Sequence, residues 1–370
     1  MSLQADESIE SHERSTKKQL EDLPDETILK ILSYADIKGL ISCGQVSKRA
    51  RNVSQDSSLW VTANIKKKIV KVELLELILS KGCKILNISN SMIVGRLSSN
   101  VENQLTVLNF SQFLWGFPRR GLPDPVYHRA NIDILERLLF SCPFLQCLEM
   151  RGVCITSKMA VSICENGKTL QALNLDNSFV HQSAYPFGAN HILDRNTVPN
   201  GNLQAIIKCC QELKAVDLNY INGSEGLSAI DIELLANNIN PNVEKLNLRH
   251  HDVEDDQVKI LLSRCNKIKA LSLEACRMTD TSLSYIRQYL NLTLEELSLV
   301  DDAGANASPG PGATFGYGIT FTGFLELKSM QKLKMLNLYN EKDDCAMNLR
   351  QHLPHVKISS LYHLWEMNNS

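Results

Sequence analysis

The densest run of groups able to hold a metal or move a proton is His250-His251-Asp252, with Glu254, Asp255 and Asp256 close behind. Zinc sites need such side chains converging, for instance two histidines one helical turn apart or a pair of cysteines. Here the histidines are adjacent, no HxxxH or cysteine partner accompanies them, and the run directly follows a strand pattern at Leu246 and Leu248. A solvated loop fits it better, and no metal or cofactor is expected. The stretch SPGPGATFGYG is glycine-rich but lacks the Gly-Lys-Ser/Thr that reaches phosphates and Mg²⁺. Cys345, beside Asp343-Asp344, has no histidine at a telling distance to act as its base. Lys66-Lys67-Lys68 and Lys71 stand without interleaved aromatics and read as a solvated face at a domain junction. Trp115 and Phe117 leave two readings open, anchoring a ligand or covering the end of a core. No nucleophile–base or carboxylate constellation emerges, so a non-catalytic protein is expected.

The bulk composition narrows the class. Among 370 residues, Lys and Arg total 39 against 41 Asp and Glu, a formal net charge of −2. A general nucleic-acid binder needs surplus positive charge to pair with phosphates, so no nucleic-acid partner is expected. No stretch approaches twenty uninterrupted apolar residues; even Ile69 to Leu79 carries Lys71, Glu73 and Glu76. No membrane span is therefore expected. The N-terminus has no apolar core of a secretory signal, which points to an intracellular protein of cytoplasm and/or nucleus. The eleven cysteines, an odd count without CxxC, read as buried and unreactive thiols.

Residues 1–19 are polar and aperiodic, the signature of a disordered tail. From Leu20 the texture changes. Pro24 suits a helix start, Asp25 and Glu26 complement the dipole of its first turn, and Ile28, Leu29, Ile31 and Leu32 spread apolar surface over more than one face. Asp36 is a candidate N-cap for a second helix carrying Ile37, Leu40, Ile41 and Val46. A turn at QDSS leads to Leu59-Trp60. A helical unit of about forty residues cannot bury that much apolar surface alone, and with no metal in view a protein partner is expected.

The remainder is repetitive. An apolar residue, two others, then apolar-x-apolar recurs at Leu86/Ile88, Leu108/Phe110, Leu148/Met150, Leu173/Leu175, Val216/Leu218, Leu246/Leu248, Leu271/Leu273, Leu297/Leu299, Leu336/Leu338 and Val356/Ile358. The steps between them are 22, 40, 25, 43, 30, 25, 26, 39 and 20 residues. Most fall within the roughly 20–29 of leucine-rich repeats. The three long steps each hold one repeat plus a turn-rich insertion, GFPRRGLPDP, HQSAYPFGAN or ASPGPGATFGYG, which should emerge from one rim. Helical segments LERLLFSC, LQAIIKCC, VKILLSRC and LSYIRQYL precede strands. Cys142, Cys210 and Cys265 stand six positions before a strand's first apolar residue, a repeated place that favours packing over chemistry.

Each unit supplies one short parallel strand and one helix and cannot bury its apolar face alone, so the units must stack. The expected architecture is α/β: an N-terminal helical region, 20–66, then a curved solenoid over 67–359 with strands inside and helices outside, then a tail over 360–370. In apolar-x-apolar the apolar pair points into the core and the residues beside it point to the concave face. That reading exposes Asn87, Asn109, Glu149, Arg151, Asn174, Asp176, Asp217, Asn219, Asn247, Arg249, Ser272, Glu274, Ser298 and Asn337. The row is broad, polar and mixed in charge, which suits a protein substrate better than a small molecule. Its central members, from Glu149 to Glu274, are the candidate substrate-binding residues. Tyr339, Trp365 and the LYHLWEM tail either cap the last repeat or fold back over the concave face.

The segment Leu20 to Trp60 resembles an F-box, the adaptor-binding motif of SCF ubiquitin ligases. The resemblance rests on Leu23-Pro24-Asp25-Glu26, Ile28, Leu29, Ile31, Leu32, Leu40, Val46 and Leu59-Trp60. It departs at Arg49-Ala50, where many F-boxes have Arg-Trp, and at Leu20, where some have tryptophan. The repeats resemble the cysteine-containing class of F-box/leucine-rich-repeat receptors, on LEACRMTDTSL and LEMRGVCIT. The resemblance implies that Leu20, Leu23, Pro24, Ile28, Leu29, Ile31, Leu32, Leu40, Val46 and Trp60 bind the Skp adaptor. Through it the chain would meet a cullin and a RING protein, while the repeats hold a protein substrate for ubiquitination and proteasomal degradation. The missing tryptophan after Arg49 motivates the alternative, an adaptor-independent scaffold or inhibitor.

Overall fold

Leu173 stands beside Leu148 on one side and Val216 on the other, and this alignment of single apolar residues runs through the whole sheet. The computed structural model describes residues 23–98, 103–111, 125–176, 178–180, 201–219, 226–299, 314–315, 318–338 and 343–359. Two compact units divide the chain, Met1–Val61 and Thr62–Ser370.

In the first unit, helices span Asp25–Leu32, Ile37–Cys43 and Lys48–Ser54, followed by a 3-10 turn at Ser57–Leu59. Local chemistry starts each one. Pro24 is the N-cap of the first with φ −57°, the Asp36 carboxylate accepts from the Gly39 N–H at 2.8 Å, and Ser47 Oγ accepts from the Ala50 N–H at 3.1 Å. Ile28, Leu32, Ile37, Leu40, Ala50, Val53 and Trp60 form its core. The Trp60 indole N–H donates to the Ser54 carbonyl at 2.8 Å, which satisfies its polar atom inside that core. Arg49 reaches back to the entry of the first helix, pairing with Asp25 at 2.7 Å and donating to the Leu23 carbonyl at 2.6 Å.

The second unit is a leucine-rich-repeat solenoid of the α/β class. Its main sheet has eleven parallel strands in chain order: Thr62–Asn64, Ile85–Asn87, Val107–Asn109, Cys147–Glu149, Ala172–Asn174, Ala215–Asp217, Lys245–Asn247, Ala270–Ser272, Glu296–Leu299, Met335–Leu338 and Lys357–Ser359. Helices between them include Val72–Ser80, Pro125–Phe140, Ser157–Asn166, Gly201–Cys209, Ala229–Asn238, Asp255–Arg264, Asp280–Leu290 and Asp343–His352. From Pro125–Phe140 to Asp280–Leu290, consecutive helices pack side by side as consecutive strands do. The ten strands read from the sequence are all present. Two corrections apply: a strand at Thr62–Asn64 precedes them, and in the last one Ile358 rather than Val356 pairs with Leu336. A shift of two residues keeps both side chains on the core face, so burial alone does not distinguish the registers.

After the strands the chain turns through a left-handed residue at an equivalent place: Lys67, Asn90, Gly152, His250 and Ala275, with φ between 54° and 67°. The N–H groups of Lys67, Asn90, Gly152 and His250 reach the next repeat, as from Asn90 to the Ser111 carbonyl at 2.7 Å and from Gly152 to that of Asp176 at 2.8 Å. Glycine holds this conformation without strain; Ala275 does not have that freedom. The helices are likewise coupled through their starts. Asp255 accepts from the N–H and hydroxyl of Thr279, at 3.0 and 2.6 Å, and Asp280 does the same for Thr320, at 2.7 and 2.6 Å. Each acid opens one helix and fixes the N-cap threonine of the next. Among the described residues no helix is long and apolar enough to cross a membrane.

Candidate functional site

The polar face of the sheet differs from its sequence reading in one decisive respect. Glu149, Asn174, Asp217, Asn219, Asn247, Arg249, Ser272, Glu274, Ser298 and Asn337 are buried, not exposed, and Asn87, Asn109, Arg151 and Asp176 are half-buried. Their polar atoms are largely committed to one another. Asn87, Asn109, Asn174, Asp217 and Asn247 each accept, through the side-chain oxygen, the backbone N–H two residues on, at 3.0 to 3.1 Å. This turn explains why asparagine or aspartate recurs between the two apolar positions. Across strands, Asn109 donates to Glu149 at 2.7 Å, Asn219 to Asp176 at 3.0 Å, and Asn337 to Ser298 at 3.1 Å. Arg249 Nε meets Glu274 Oε2 at 3.0 Å.

Burial, with the Asp176 carboxylate nearby, pushes the Asp217 carboxyl up to about 7, against the N–H of Asn219 and the charge of Arg151, which favour the ionised form. The His250–Asp256 run is not a solvated loop. His251 is buried, its Nδ1 accepts the Leu227 N–H at 3.0 Å, and its Nε2 faces the Leu218 carbonyl at 2.8 Å. These partners fix the proton on Nε2, and burial lowers its pKa to about 4. Gly226 allows the approach, since a Cβ there would lie 2.5 Å from the His250 carbonyl oxygen. Asp255 and Asp256 start a helix. Among the described residues no group of three His, Cys, Asp or Glu side chains could hold a metal ion.

Cys142, Cys210 and Cys265 are buried at equivalent places, and burial raises their thiols to about 12, 12 and 11. The expectation of uniformly buried thiols fails at Cys209, which is exposed. Leu20, Trp115, Phe117, Tyr339, Trp365 and most of the three insertions lie outside the described residues. In the last insertion Thr314–Phe315 forms a short antiparallel pair with Ile319–Thr320, just past its end.

In the first unit the expected adaptor-binding residues separate into two groups. Ile28, Leu32, Leu40 and Trp60 belong to the core, and Leu23 and Leu29 are half-buried. Pro24 is exposed, and Ile31 and Val46 are 46% and 74% exposed. Tyr34, missed in the sequence because it falls outside the motif, is 81% exposed. Residues 20–66 match the model of the family described as F-box-like. The segment is an F-box-like domain. Its core thus comes from the same motif whose remaining apolar residues stay at the surface.

Among solved structures the chain is similar to leiomodin-1 actin-binding site 2, at 16% identity and a TM-score of 0.30, covering 39% of this chain and 81% of that one. It is also similar to an internalin from Listeria monocytogenes, at 12% identity and a TM-score of 0.38, covering 90% of this chain and 67% of that one. No curated protein matches the chain. The F-box-like domain followed by leucine-rich repeats supports a role in protein interaction.

Proposed function

We propose that the chain is the substrate-recognition subunit of an SCF-type E3 ubiquitin ligase, with no catalytic group of its own. The observation that carries this reading is an F-box-like domain whose Ile31, Tyr34 and Val46 remain exposed, on a chain that continues into an array of repeats. Exposed apolar side chains on so small a helical unit call for a protein partner. In this reading they meet the Skp adaptor, and cullin and RING protein follow through it, in the cytoplasm and/or nucleus. The repeats hold a protein substrate, contacted at the less buried members of the polar face, Asn87, Asn109, Arg151 and Asp176; the buried members keep that face in shape. Ubiquitin transfer is then accelerated by proximity, as tethering raises the effective concentration of the substrate near the conjugating enzyme.

The test is a pull-down of the full chain against an Ile31→Ala/Val46→Ala variant. Ile28 is unsuitable because, at 3% exposed, its loss would damage the core rather than a contact surface. The intact chain should recover adaptor and cullin, and the variant should lose at least tenfold of both while its thermal unfolding is unchanged. If the intact chain recovers neither, the reading falls and the adaptor-independent scaffold or inhibitor takes its place.

A further inference from the structure

Beside its main sheet the second unit carries a two-stranded parallel sheet, Ile69–Lys71 with Met92–Val94, in which Ile69 stands beside Met92 and Lys71 beside Val94. Alternation gives it two different faces. Val70 and Ile93 are buried, and the Asn131 side chain accepts the Ile93 N–H at 3.1 Å. On the opposite face Ile69 is 71% and Val94 46% exposed, Met92 is half-buried and Lys71 is exposed. A β-branched residue suits an exposed strand, but threonine would supply that shape without the apolar surface. Cations border this face. Lys66, Lys67 and Lys68 lead into the first strand, Lys71 ends it, and Arg96 follows the second; all five are exposed. Among the described residues none of the five is paired with a carboxylate. Residues 66–98 hold seven Lys and Arg against two Glu, in a chain whose net charge is −2. Of those two, Glu76 is engaged by the N–H and hydroxyl of Ser98, at 2.8 and 2.6 Å.

We propose that this face docks a protein segment rich in Asp and Glu that carries an apolar side chain among its acids. Ile69, Met92 and Val94 receive the apolar side chain, and the lysines and Arg96 pair with the carboxylates around it, the apolar centre and charged rim of a protein contact. Four of the five cations are lysine, compact point charges on flexible stems that follow carboxylates spread along a segment. A phosphate site would favour the planar fork of arginine. No aromatic residue occurs in 66–98 on which a nucleobase could stack. The apolar surface lies on two short strands, not on the amphipathic helix that settles into a bilayer surface. All of these residues belong to the repeat unit, so the docking surface does not depend on the adaptor reading.

The test titrates the full chain into fluorescein-labelled peptides, runs of Asp and Glu with a single leucine at successive positions, and follows fluorescence anisotropy. At least one peptide should bind saturably and weaken as salt is raised. Its affinity should fall at least tenfold when Asp and Glu are replaced by Asn and Gln, and several-fold when its leucine is replaced by serine. Ile69→Thr/Val94→Thr and Lys68→Glu/Lys71→Glu should each lower it several-fold with thermal unfolding unchanged. Phosphatidylserine vesicles and a single-stranded oligonucleotide serve as competitors. No saturable binding of any acidic peptide, equal binding of the Asn/Gln peptide, binding unchanged in both variants, or tighter binding of vesicles or oligonucleotide overturns the proposal. The substitutions made in the peptide leave the chain intact, so a poorly folded variant does not blunt the test.

Discussion

Arg249 and Glu274, at the ends of adjacent strands, form an ion pair of 3.0 Å with side chains only 7% and 6% exposed. Both charges have left bulk water, so each depends on the partners around it. Removing one partner of such a buried pair typically costs about 3–5 kcal/mol, because the other is left uncompensated. Glu274→Ala should lower the stability of the second unit by that order. Arg249→Met/Glu274→Leu should lower it far less, which urea unfolding of both variants against the parent will check.

His251 should make the protein acid-sensitive. Its pKa is about 4 in the folded chain against an ordinary 6.5, so between these values the unfolded state binds more protons. Stability is therefore full above pH 6.5 and falls as pH drops toward 4. His251→Gln should be less stable at neutral pH yet show a flatter dependence over that window, measured by unfolding free energy at half-unit pH steps.

Asp217 acts in the opposite sense. Its folded value of about 7 exceeds the ordinary 3.8, so the native state holds the proton more tightly. The stability gained by keeping it protonated is complete below pH 3.8 and disappears as pH rises through 7. Asp217→Asn cannot ionise, so it should gain on the parent between pH 5 and pH 8. Urea midpoints at those two values give the sign, and a parent that gains as much as the variant would contradict this account.

The coupling of helix starts should be visible locally. Asp255→Ala removes the acceptor for the Thr279 N–H and hydroxyl. Hydrogen bonds to a charged group contribute roughly 1.5–3 kcal/mol, so a loss of that order is expected. Hydrogen exchange should rise first at the start of the helix Asp280–Leu290 rather than across the sheet.

The repeats were legible because each strand announces itself over six neighbouring residues, and one apolar position per strand aligns with the next. The strand Thr62–Asn64 escaped notice although Trp60, Ala63 and Ile65 carry the same spacing, with Asn64 in the usual asparagine place. Ala63 is too small to register as a core residue by type, yet it is fully buried. In the F-box-like domain the motif was plain. Its division into core and surface was not, since Ile28 and Ile31 are the same residue type one helical turn apart.

The sequence by itself determined the phase of the repeats, the caps that start the first helices and the equivalent placing of three cysteines, since all of these depend on residues a few positions apart. Tertiary structure alone decided that the polar face is buried and internally paired, and that His251 lies between the Leu218 carbonyl and the Leu227 N–H. Those outcomes depend on which residues stand opposite one another after stacking. Spacing along the chain carries no such information when insertions of unequal length separate the repeats.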